Sequence, residues 1–287
     1  MIPAFVNPHA GAASRAAGVL RDVGGFDVRE VRPNALAQEI RSAIAAGARR
    51  VLVAGGDGSI GSAANVLSGT GVELAVLPCG TLNHLARDLD IPLDLEKAAR
   101  IALDGSVRRV DAAVVNDRLF LNTSSVGAYV SFVRLRERIE RRLGYRAASL
   151  GAGLRLLVHM PTFRVSLDVG GQQHEYVTPL VFLGVGEREL QMPSLGARVR
   201  HGRSGLHVMV VRERSAGRAL ALGLAAAARG VKAVSKTPAL DAFFVERCTV
   251  LPRSPRVALD GEIVEMPSPL EYRHVPGCLD VVAPPSR

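Results

Sequence analysis

The chain has 287 residues, 48% of them hydrophobic and 4% aromatic, which is the composition of an ordinary globular protein. At this length two domains are favoured over one. Lys and Arg outnumber Asp and Glu by 36 to 27, which favours partners that carry phosphate. The three cysteines are widely spaced, which excludes a paired zinc or redox motif. The apolar runs are too short for a membrane span.

The first hundred residues alternate short apolar strands with helical patterns. Strands are predicted at Ile2–Val6, Asp27–Val31, Arg50–Ala54 and Val72–Leu77, and helices at Ser14–Val23, Asn34–Ala46, Ile60–Leu67 and Leu95–Leu103. Asn34 is the expected N-cap of its helix, and a further short helix is predicted to end at Arg87. Such alternation is typical of a parallel sheet covered by helices. The sequence therefore predicts an α/β domain over residues 1–109.

Beyond Arg109 the pattern changes to apolar runs with few helices between them. Strands are predicted at Val110–Val115, Leu119–Thr123, Phe163–Val169, Val177–Val185, Leu206–Val211 and Ala242–Leu251, and helices at Phe132–Leu143 and Ala219–Val231. The sequence therefore predicts a second, β-rich domain over residues 110–287. The sequence leaves open whether the C-terminal segment of the chain packs again with the first domain.

A glycine-rich turn follows the buried strand Arg50–Ala54 and precedes a helix, the place where open α/β sheets bind ligands. The turn reads Gly55-Gly56-Asp57-Gly58-Ser59. Glycine lets the backbone approach a ligand, N–H groups at the helix start face phosphate oxygens, and Asp57 offers an acceptor for a ribose or a metal-bound water. The spacing is neither that of a Walker loop nor that of a dinucleotide fingerprint. A turn that needs only a flexible backbone is the alternative.

A second turn, Gly80-Thr81-Leu82-Asn83, also follows a strand and opens a helix. It is expected to bring a hydroxyl and an amide beside the first turn at the edge of the sheet. The alternative is an ordinary helix start that is capped by Thr81 or Asn83.

Two carboxylates meet in the turn Leu259-Asp260-Gly261-Glu262, between the predicted strands Arg256–Leu259 and Ile263–Glu265. Phosphoryl transfer needs a carboxylate that accepts the proton of the attacked hydroxyl, and this turn presents two. Because Asp-Gly is a preferred two-residue hairpin connection, a plain hairpin is the alternative.

Taken in order, these motifs resemble the diacylglycerol kinase catalytic-domain family, which includes bacterial lipid kinases and sphingosine kinases. The resemblance is carried by Asn7-Pro8 with Gly11, Gly55 to Ser59, Leu77 to Arg87, Val110 to Ala112, Phe120 to Gly127, and Leu259 to Glu262. It implies an N-terminal α/β domain similar to that of NAD kinases and phosphofructokinases. It also implies a C-terminal β-sandwich for the lipid substrate, and an active site in the cleft between the two domains.

The resemblance implies cofactors and residue roles as well. ATP and Mg²⁺ are expected, with the γ-phosphoryl group passing to a lipid hydroxyl. The nucleotide-binding residues expected are Asn7, Gly55, Gly56, Asp57, Gly58, Ser59, Gly80, Thr81 and Asn83. The catalytic residues expected are Asp57, Asp260 and Glu262, with Glu262 as the base and Asp57 as a metal contact through water.

Two positions depart from the family pattern. His84 stands where many members have an Asp, which removes one carboxylate from the second turn. Arg203 and His207 stand where bacterial members often have the acidic residues of a structural Mg²⁺ site, so that metal is doubtful here.

An arginine-rich segment within the predicted helix Phe132–Leu143 carries Leu135, Ile139 and Leu143 at a helical spacing of four. Its arginines Arg134, Arg138, Arg141 and Arg142 are the residues expected to face a membrane with anionic headgroups. A solvated helix packed through one apolar stripe is the alternative.

The sequence therefore predicts an ATP-dependent lipid kinase acting on diacylglycerol or a related lipid. The alternatives are an NAD kinase-like or other small-molecule kinase, and a nucleotide- or lipid-binding regulator with impaired catalysis. No secretory signal is visible at Met1–Asn7, so a cytoplasmic protein peripherally associated with the inner face of the membrane is expected. A nucleic-acid partner is not expected, because aromatic residues for base stacking are few. A homodimer is one arrangement that remains open.

Overall fold

The computed structural model describes residues 1–127, 162–188, 198–199, 202–212, 240–252 and 256–285. The chain divides into two compact units. Unit 1 comprises Met1–Ala112, Arg118–Leu121 and Val275–Arg287, and unit 2 comprises Ala113–Asp117 and Asn122–His274.

Unit 1 alternates strands and helices from its first residues. Its elements are β1 (Ile2–Val6), α1 (Ala13–Val23), β2 (Phe26–Glu30), α2 (Pro33–Ala45), β3 (Arg50–Gly55), α3 (Asp57–Leu67), β4 (Glu73–Pro78), α4 (His84–Asp88), α5 (Leu95–Asp104), most of β5 (Ser106–Val115), β6 (Arg118–Phe120) and the second part of β16 (Leu270–Ala283). The strand order is β2-β1-β3-β4-β16, and every neighbouring pair in it is parallel.

This order determines where a ligand is expected to bind. From β1 the chain passes to β2 on one side of the sheet, and β3 then lies on the other side of β1 and leads to β4. The winding direction therefore reverses between β1 and β3. In open α/β sheets the carboxyl ends of the two strands at such a point form the usual ligand crevice.

The core of unit 1 is built from small aliphatic residues. Val51, Leu52, Val53 and Ala54 of β3 are all fully buried, as expected for a central strand covered on both faces. Two helix starts differ from the predictions. Asn34 is not the cap of α2, because Pro33 occupies its first position and Arg32 is the N-cap. Helix α3 begins at Asp57 rather than at Ile60, so the second half of the glycine turn forms its first turn.

Unit 2 is built from antiparallel strands. They are β7 (Thr123–Gly127), β8 (Phe163–Val169), β9 (Gln172–Thr178), β10 (Leu180–Val185), β11 (Leu206–Val211), β12 (Leu240–Val245), β13 (Arg247–Pro252), β14 (Arg256–Leu259), β15 (Glu262–Glu265) and the first part of β16. One group has the order β9-β8-β13-β16 and the other β12-β11-β10-β7-β14-β15.

The predicted fold class is confirmed: a parallel α/β unit is followed by antiparallel strands. Three runs predicted as single strands are divided. The run Leu119–Thr123 leaves β6 at Phe120 and enters β7 only at Thr123. β9 and β10 are separated at Pro179, which has no N–H to donate to a ladder, and β12 and β13 are separated at Glu246. The predicted helices Phe132–Leu143 and Ala219–Val231 lie outside the described residues. Among the residues that are described, no helix has the length and apolar character needed to cross a membrane.

Candidate functional site

Asn7 and the glycine turn lie at the carboxyl ends of β1 and β3, where the sheet reverses its winding. The backbone N–H of Asn7 donates to the carbonyl of Ala54 at 3.0 Å, and its side-chain amide donates to Ser59 Oγ at 3.1 Å. The Asn7 side-chain oxygen in turn accepts from the N–H of His9 at 3.0 Å. Asn7 therefore ties the loop after β1 to the first turn of α3.

The glycines of the two turns are needed because the loops after β3 and β4 pack directly on each other. A Cβ atom on Gly80 would lie 2.5 Å from the Cα of Gly56, and one on Gly55 would lie 2.6 Å from the Cβ of Ser59. Real Cβ atoms essentially never lie less than 3.0 Å from such atoms. The turns therefore need glycine for packing, in addition to any ligand that the exposed backbone receives.

Asp57 joins the two turns through its carboxylate. Its Oδ2 accepts the backbone N–H of Asn83 at 3.0 Å, and its Oδ1 accepts the N–H of His84 at 2.7 Å. The imidazole Nδ1 of His84 lies 3.5 Å from Oδ2. A carboxylate that accepts the first N–H groups of a helix stabilises its N-terminus, so Asp57 caps α4 from the first residue of α3.

Asn83 is the N-cap residue of α4 and has left-handed backbone angles, with φ of 50°. Its side chain closes its own turn, because Oδ1 accepts from the N–H of Gly80 at 2.9 Å and Nδ2 donates to the Gly80 carbonyl at 2.8 Å. The alternative for this turn was a helix start capped by the side chain of Thr81 or Asn83. The structure shows no such side-chain cap. That role belongs to Asp57.

The start of α3 offers backbone donors. The helix has no side-chain cap, and its first i to i−4 bond runs from the N–H of Ile60 to the carbonyl of Gly56. The N–H groups of Asp57, Gly58 and Ser59 therefore have no carbonyl within the helix to donate to. Together with the positive end of the helix dipole, such groups form a site suited to phosphate.

Cys79 lies between β4 and Gly80 and is buried. Burial raises the pKa of its thiol to about 11, although the nearby Arg15 acts in the opposite direction. This shift favours the protonated thiol at neutral pH, which is a poorer nucleophile than the thiolate.

In unit 2, Asp260 and Gly261 form the two-residue hairpin between β14 and β15, with φ of 47° and 90°. Oδ1 of Asp260 accepts the N–H of Asn122 at 2.8 Å and that of Thr123 at 2.9 Å, and the Asp260 N–H donates to the Thr123 carbonyl at 2.8 Å. The hairpin that the Asp-Gly pair favoured is therefore present. Glu262 is the first residue of β15 and is exposed.

Sequence reasoning gave no role to Asn122 and Ser125, although both lie in a segment that carried the family resemblance. Both are buried, and Asn122 Oδ1 and Ser125 Oγ have no hydrogen-bond partner within the described part of the chain. An orphaned buried polar atom is costly and points to a functional constraint. The sequence signal that could have identified them is the run of Asn, Thr and two Ser residues within an otherwise apolar segment.

Comparison with known proteins shows which family this part of the chain resembles. The family model described as diacylglycerol kinase catalytic domain matches residues 2–115, which include Asn7 and both glycine turns. Residues 2–115 are thus similar to the diacylglycerol kinase catalytic domain.

Individual relatives agree with this family. A Pseudomonas syringae pv. tomato protein named "Probable lipid kinase YegS-like" is 34% identical over 151 residues, which is 51% of this chain and 48% of that protein. The Mycobacterium tuberculosis protein named "Diacylglycerol kinase" is 33% identical over 163 residues, which is 54% of this chain and 50% of that protein. The chain thus spans about half the length of the curated relatives it matches.

Solved structures show the fold over nearly the whole chain. A Bacillus anthracis crystal structure is similar with a TM-score of 0.77 and 21% identity, and covers 99% of this chain and 97% of its own. Another, named as a diacylglycerol kinase from the same organism, has a TM-score of 0.69 and 17% identity at the same coverage.

The residues around positions 203 and 207 do not fit the structural Mg²⁺ that the diacylglycerol kinase resemblance implied. Mg²⁺ prefers oxygen ligands and an arginine side chain offers none. The guanidinium of Arg203 lies 4.4 Å from the centroid of the Phe244 ring, and the His207 ring lies 5.9 Å from the same ring. His207 Nδ1 accepts the N–H of Arg188 at 3.4 Å. The guanidinium of Arg203 and the rings of His207 and Phe244 thus occupy the position of that expected metal.

The arginines expected to face a membrane, Arg134, Arg138, Arg141 and Arg142, lie outside the described residues. The described residues contain no group of three or more His, Cys, Asp or Glu side chains arranged for a metal ion.

Proposed function

We propose that the protein is an ATP-dependent lipid kinase that transfers the γ-phosphoryl group to a lipid hydroxyl, with diacylglycerol or a related lipid as acceptor. The observation that carries the proposal is the match of residues 2–115 to the diacylglycerol kinase catalytic domain, around a built pair of turns at the switch point of the sheet. The names of the relatives, lipid kinase and diacylglycerol kinase, support the acceptor class.

The nucleotide phosphates would bind at the start of α3. The N–H groups of Asp57, Gly58 and Ser59 supply donors there, and Asn7 and Gly80 lie on the two neighbouring loops. Because the Gly56 and Gly80 backbones touch, the two loops form one rigid wall for a phosphate chain. Positioning of the phosphates is the larger part of catalysis in phosphoryl transfer.

Asp57 fits an indirect contact with Mg²⁺. Each of its oxygens already accepts one backbone N–H, and a carboxylate oxygen has a second lone pair that accepts from a metal-bound water. Mg²⁺ usually keeps several waters and is held by one or two carboxylates with substrate phosphates, so no larger cluster is required. When bound, the ion would neutralise the charge that develops on the phosphates.

Glu262 would act as the general base. It accepts the proton of the lipid hydroxyl as that oxygen forms its bond to the γ-phosphorus, the bond to the β-phosphate oxygen breaks, and ADP leaves. Asp260 would act as a positioning residue, because its Oδ1 holds the hairpin that carries Glu262 against the start of β7. The acceptor lies in a membrane, so the protein would reach it through peripheral contact with anionic lipid.

The test is transfer of label from γ-labelled ATP to a panel of lipid alcohols, including diacylglycerol and sphingosine, in mixed micelles. Glu262→Gln should lower kcat by about 10²- to 10⁴-fold, the usual contribution of a general base, while ATP binding is retained. Glu265→Gln is the matched control, since Glu265 is exposed on the same short strand and pairs with Arg256 at 3.0 Å. It should leave the rate unchanged.

Two results would count against the proposal. Equal loss in the Glu262 and Glu265 variants would remove the base assignment. Binding of ATP without label in any lipid would favour a regulator with impaired catalysis, the alternative suggested by His84 in an otherwise acidic position.

A further inference from the structure

A hollow of about 510 Å³ lies on the strands β8, β13 and β16 of unit 2. Two rows of side chains line it. Thr249 stands between Asp168 and Glu271 in one row, and Arg247 stands opposite Arg273 in the other. Continuing the register between β8 and β13 places Gly170 beside Arg247. The two rows are two residues apart along each strand, so they share one face of the sheet.

The two arginines form an unfavourable pair as they stand. The N–H of His274 donates to the carbonyl of Glu246 at 2.8 Å, so the next pair, Arg247 and Arg273, is of the non-hydrogen-bonded type with closely spaced side chains. Like charges directly opposite each other destabilise a sheet. Within the described residues neither guanidinium has a carboxylate within 4.0 Å, although Asp168 and Glu271 occupy the neighbouring row.

The space beside the arginines is created by the β8–β9 hairpin. Gly170 and Gly171 form its turn with φ of 62° and 84°, and a Cβ atom at either would meet nothing within 4 Å. The N–H of Gly171 donates to Asp168 Oδ1 at 2.9 Å, which holds that carboxylate at the turn. The opening is therefore bounded by a turn that carries no side chains.

The chemistry of the lining indicates a ligand with an anionic end and a hydroxyl-bearing end. Guanidinium groups present N–H donors in a fork that matches phosphate oxygens, and two of them can share one phosphate. Thr249 and Glu271 lie one row away and can exchange hydrogen bonds with hydroxyl groups. A solvated sheet face without a ligand favours opposite charges across strands, and here the directly opposed charges are alike.

We propose that this hollow is a second phosphate site, which binds a phosphate ester carrying free hydroxyl groups, such as a glycerol phosphate group. It goes beyond the proposed kinase activity and shares no residue with the glycine turns. The phosphate can come from a lipid headgroup or from a soluble ester, because the two present the same oxygens to the arginines.

The first experiment measures the thermal unfolding of the full chain in sodium phosphate and in sodium chloride of equal ionic strength. Phosphate should raise the Tm of the wild type, since a ligand that binds the folded state stabilises it. The double variant Arg247→Gln/Arg273→Gln should lose part of that increase, and what remains belongs to the glycine turns. Arg164→Gln is the matched control, because Arg164 is exposed on the same sheet face but outside the hollow.

The second experiment distinguishes the sources with ATP present at saturation. Titration with glycerol 3-phosphate should show an affinity loss of about tenfold or more in the double variant, as expected when charge-assisted bonds are removed. Flotation with phosphatidylcholine vesicles containing phosphatidylglycerol tests the lipid source, with Arg164→Gln again as the control.

If the double variant loses binding only to glycerol 3-phosphate or only to the vesicles, that result assigns the source of the phosphate. If it loses binding to both, the hollow binds phosphate esters in general. Equal phosphate-induced Tm increases and equal binding in the wild type, the control and the double variant would overturn the proposal. The double variant should also unfold at an unchanged or slightly higher Tm without ligand, because the like-charge pair is gone. A lower Tm with intact phosphate binding would mean that the arginines are structural, and would overturn it too.

Discussion

Asp57 in unit 1 and Asp260 in unit 2 each accept hydrogen bonds from two consecutive backbone N–H groups. Asp57 divides them between its oxygens, with Asn83 on Oδ2 and His84 on Oδ1. Asp260 receives both on Oδ1, from Asn122 and Thr123. The first carboxylate holds the start of a helix in a neighbouring loop, and the second holds a hairpin against the start of a strand.

The difference shows how much of each carboxylate is used by the backbone. Both aspartates were predicted as catalytic residues, and each is engaged in fixing the backbone of its own unit. Asp57 needs two acceptor atoms for this task and Asp260 needs one. Substitutions that keep one acceptor and remove the other should therefore separate the two regions.

The largest effect is expected at the contact between the two turns of unit 1. Gly80→Ala would place a Cβ atom 2.5 Å from the Gly56 Cα and 2.9 Å from Asn83 Oδ1. The backbone of Gly56 cannot move aside as a side chain would, so unfolding free energy should fall by about 3 kcal/mol, and ATP binding should be lost. Urea unfolding and nucleotide titration measure the two effects.

Gly18→Ala is the control for this substitution. Gly18 lies inside α1, and a Cβ atom there would meet nothing within 4 Å. Replacing an unconstrained helical glycine by alanine should stabilise the protein by up to about 1 kcal/mol. If both substitutions destabilised equally, the close contact of the turns would not be the cause.

The next effect compares the same substitution in both units. Asp57→Asn leaves one acceptor and turns an NH₂ group toward a backbone N–H, so it should cost about 2 kcal/mol. Asp260→Asn keeps an oxygen for both of these donors, and Asn tolerates the left-handed angles at this position, so its cost should be smaller than that of Asp57→Asn. Denaturant midpoints of the two variants decide the order, and the reverse order would contradict the comparison.

The sequence allowed the fold class and the location of the glycine turn to be predicted, because both follow from local periodicity. The positions of β1 and of the turn after β3 needed no long-range information. The start of α3 was predicted three residues late, since Gly58 weakens the helical pattern and the anchoring of Asp57 to α4 is a tertiary effect.

The partners of the site residues could not be predicted in the same way. Asp57 bonds to groups 26 and 27 residues away, and Asp260 to groups 137 and 138 residues away. Such contacts depend on how loops from different strands meet, which no local pattern contains. The same holds for Gly80, whose need for a bare Cα arises from Gly56 in another loop.

The smallest effect concerns a titrating side chain of unit 2, and it contrasts with the carboxylates held by backbone donors. Burial lowers the pKa of His207, and the adjacent Arg203 and Arg188 lower it further against the influence of Glu187. The unfolded chain therefore binds this proton at a higher pH than the folded protein does, and stability rises with pH across the interval between the two pKa values. His207 contributes its full stability above the unfolded pKa near 6.5, and that contribution is lost as the pH falls toward the folded pKa. Protonation would also remove the acceptor that Nδ1 offers to the N–H of Arg188.

Urea unfolding at pH 7.5 and pH 5.5 should thus show a smaller pH-dependent loss of unfolding free energy for His207→Gln than for the wild type. A loss of the same size in both would show that other groups determine the acid sensitivity of unit 2.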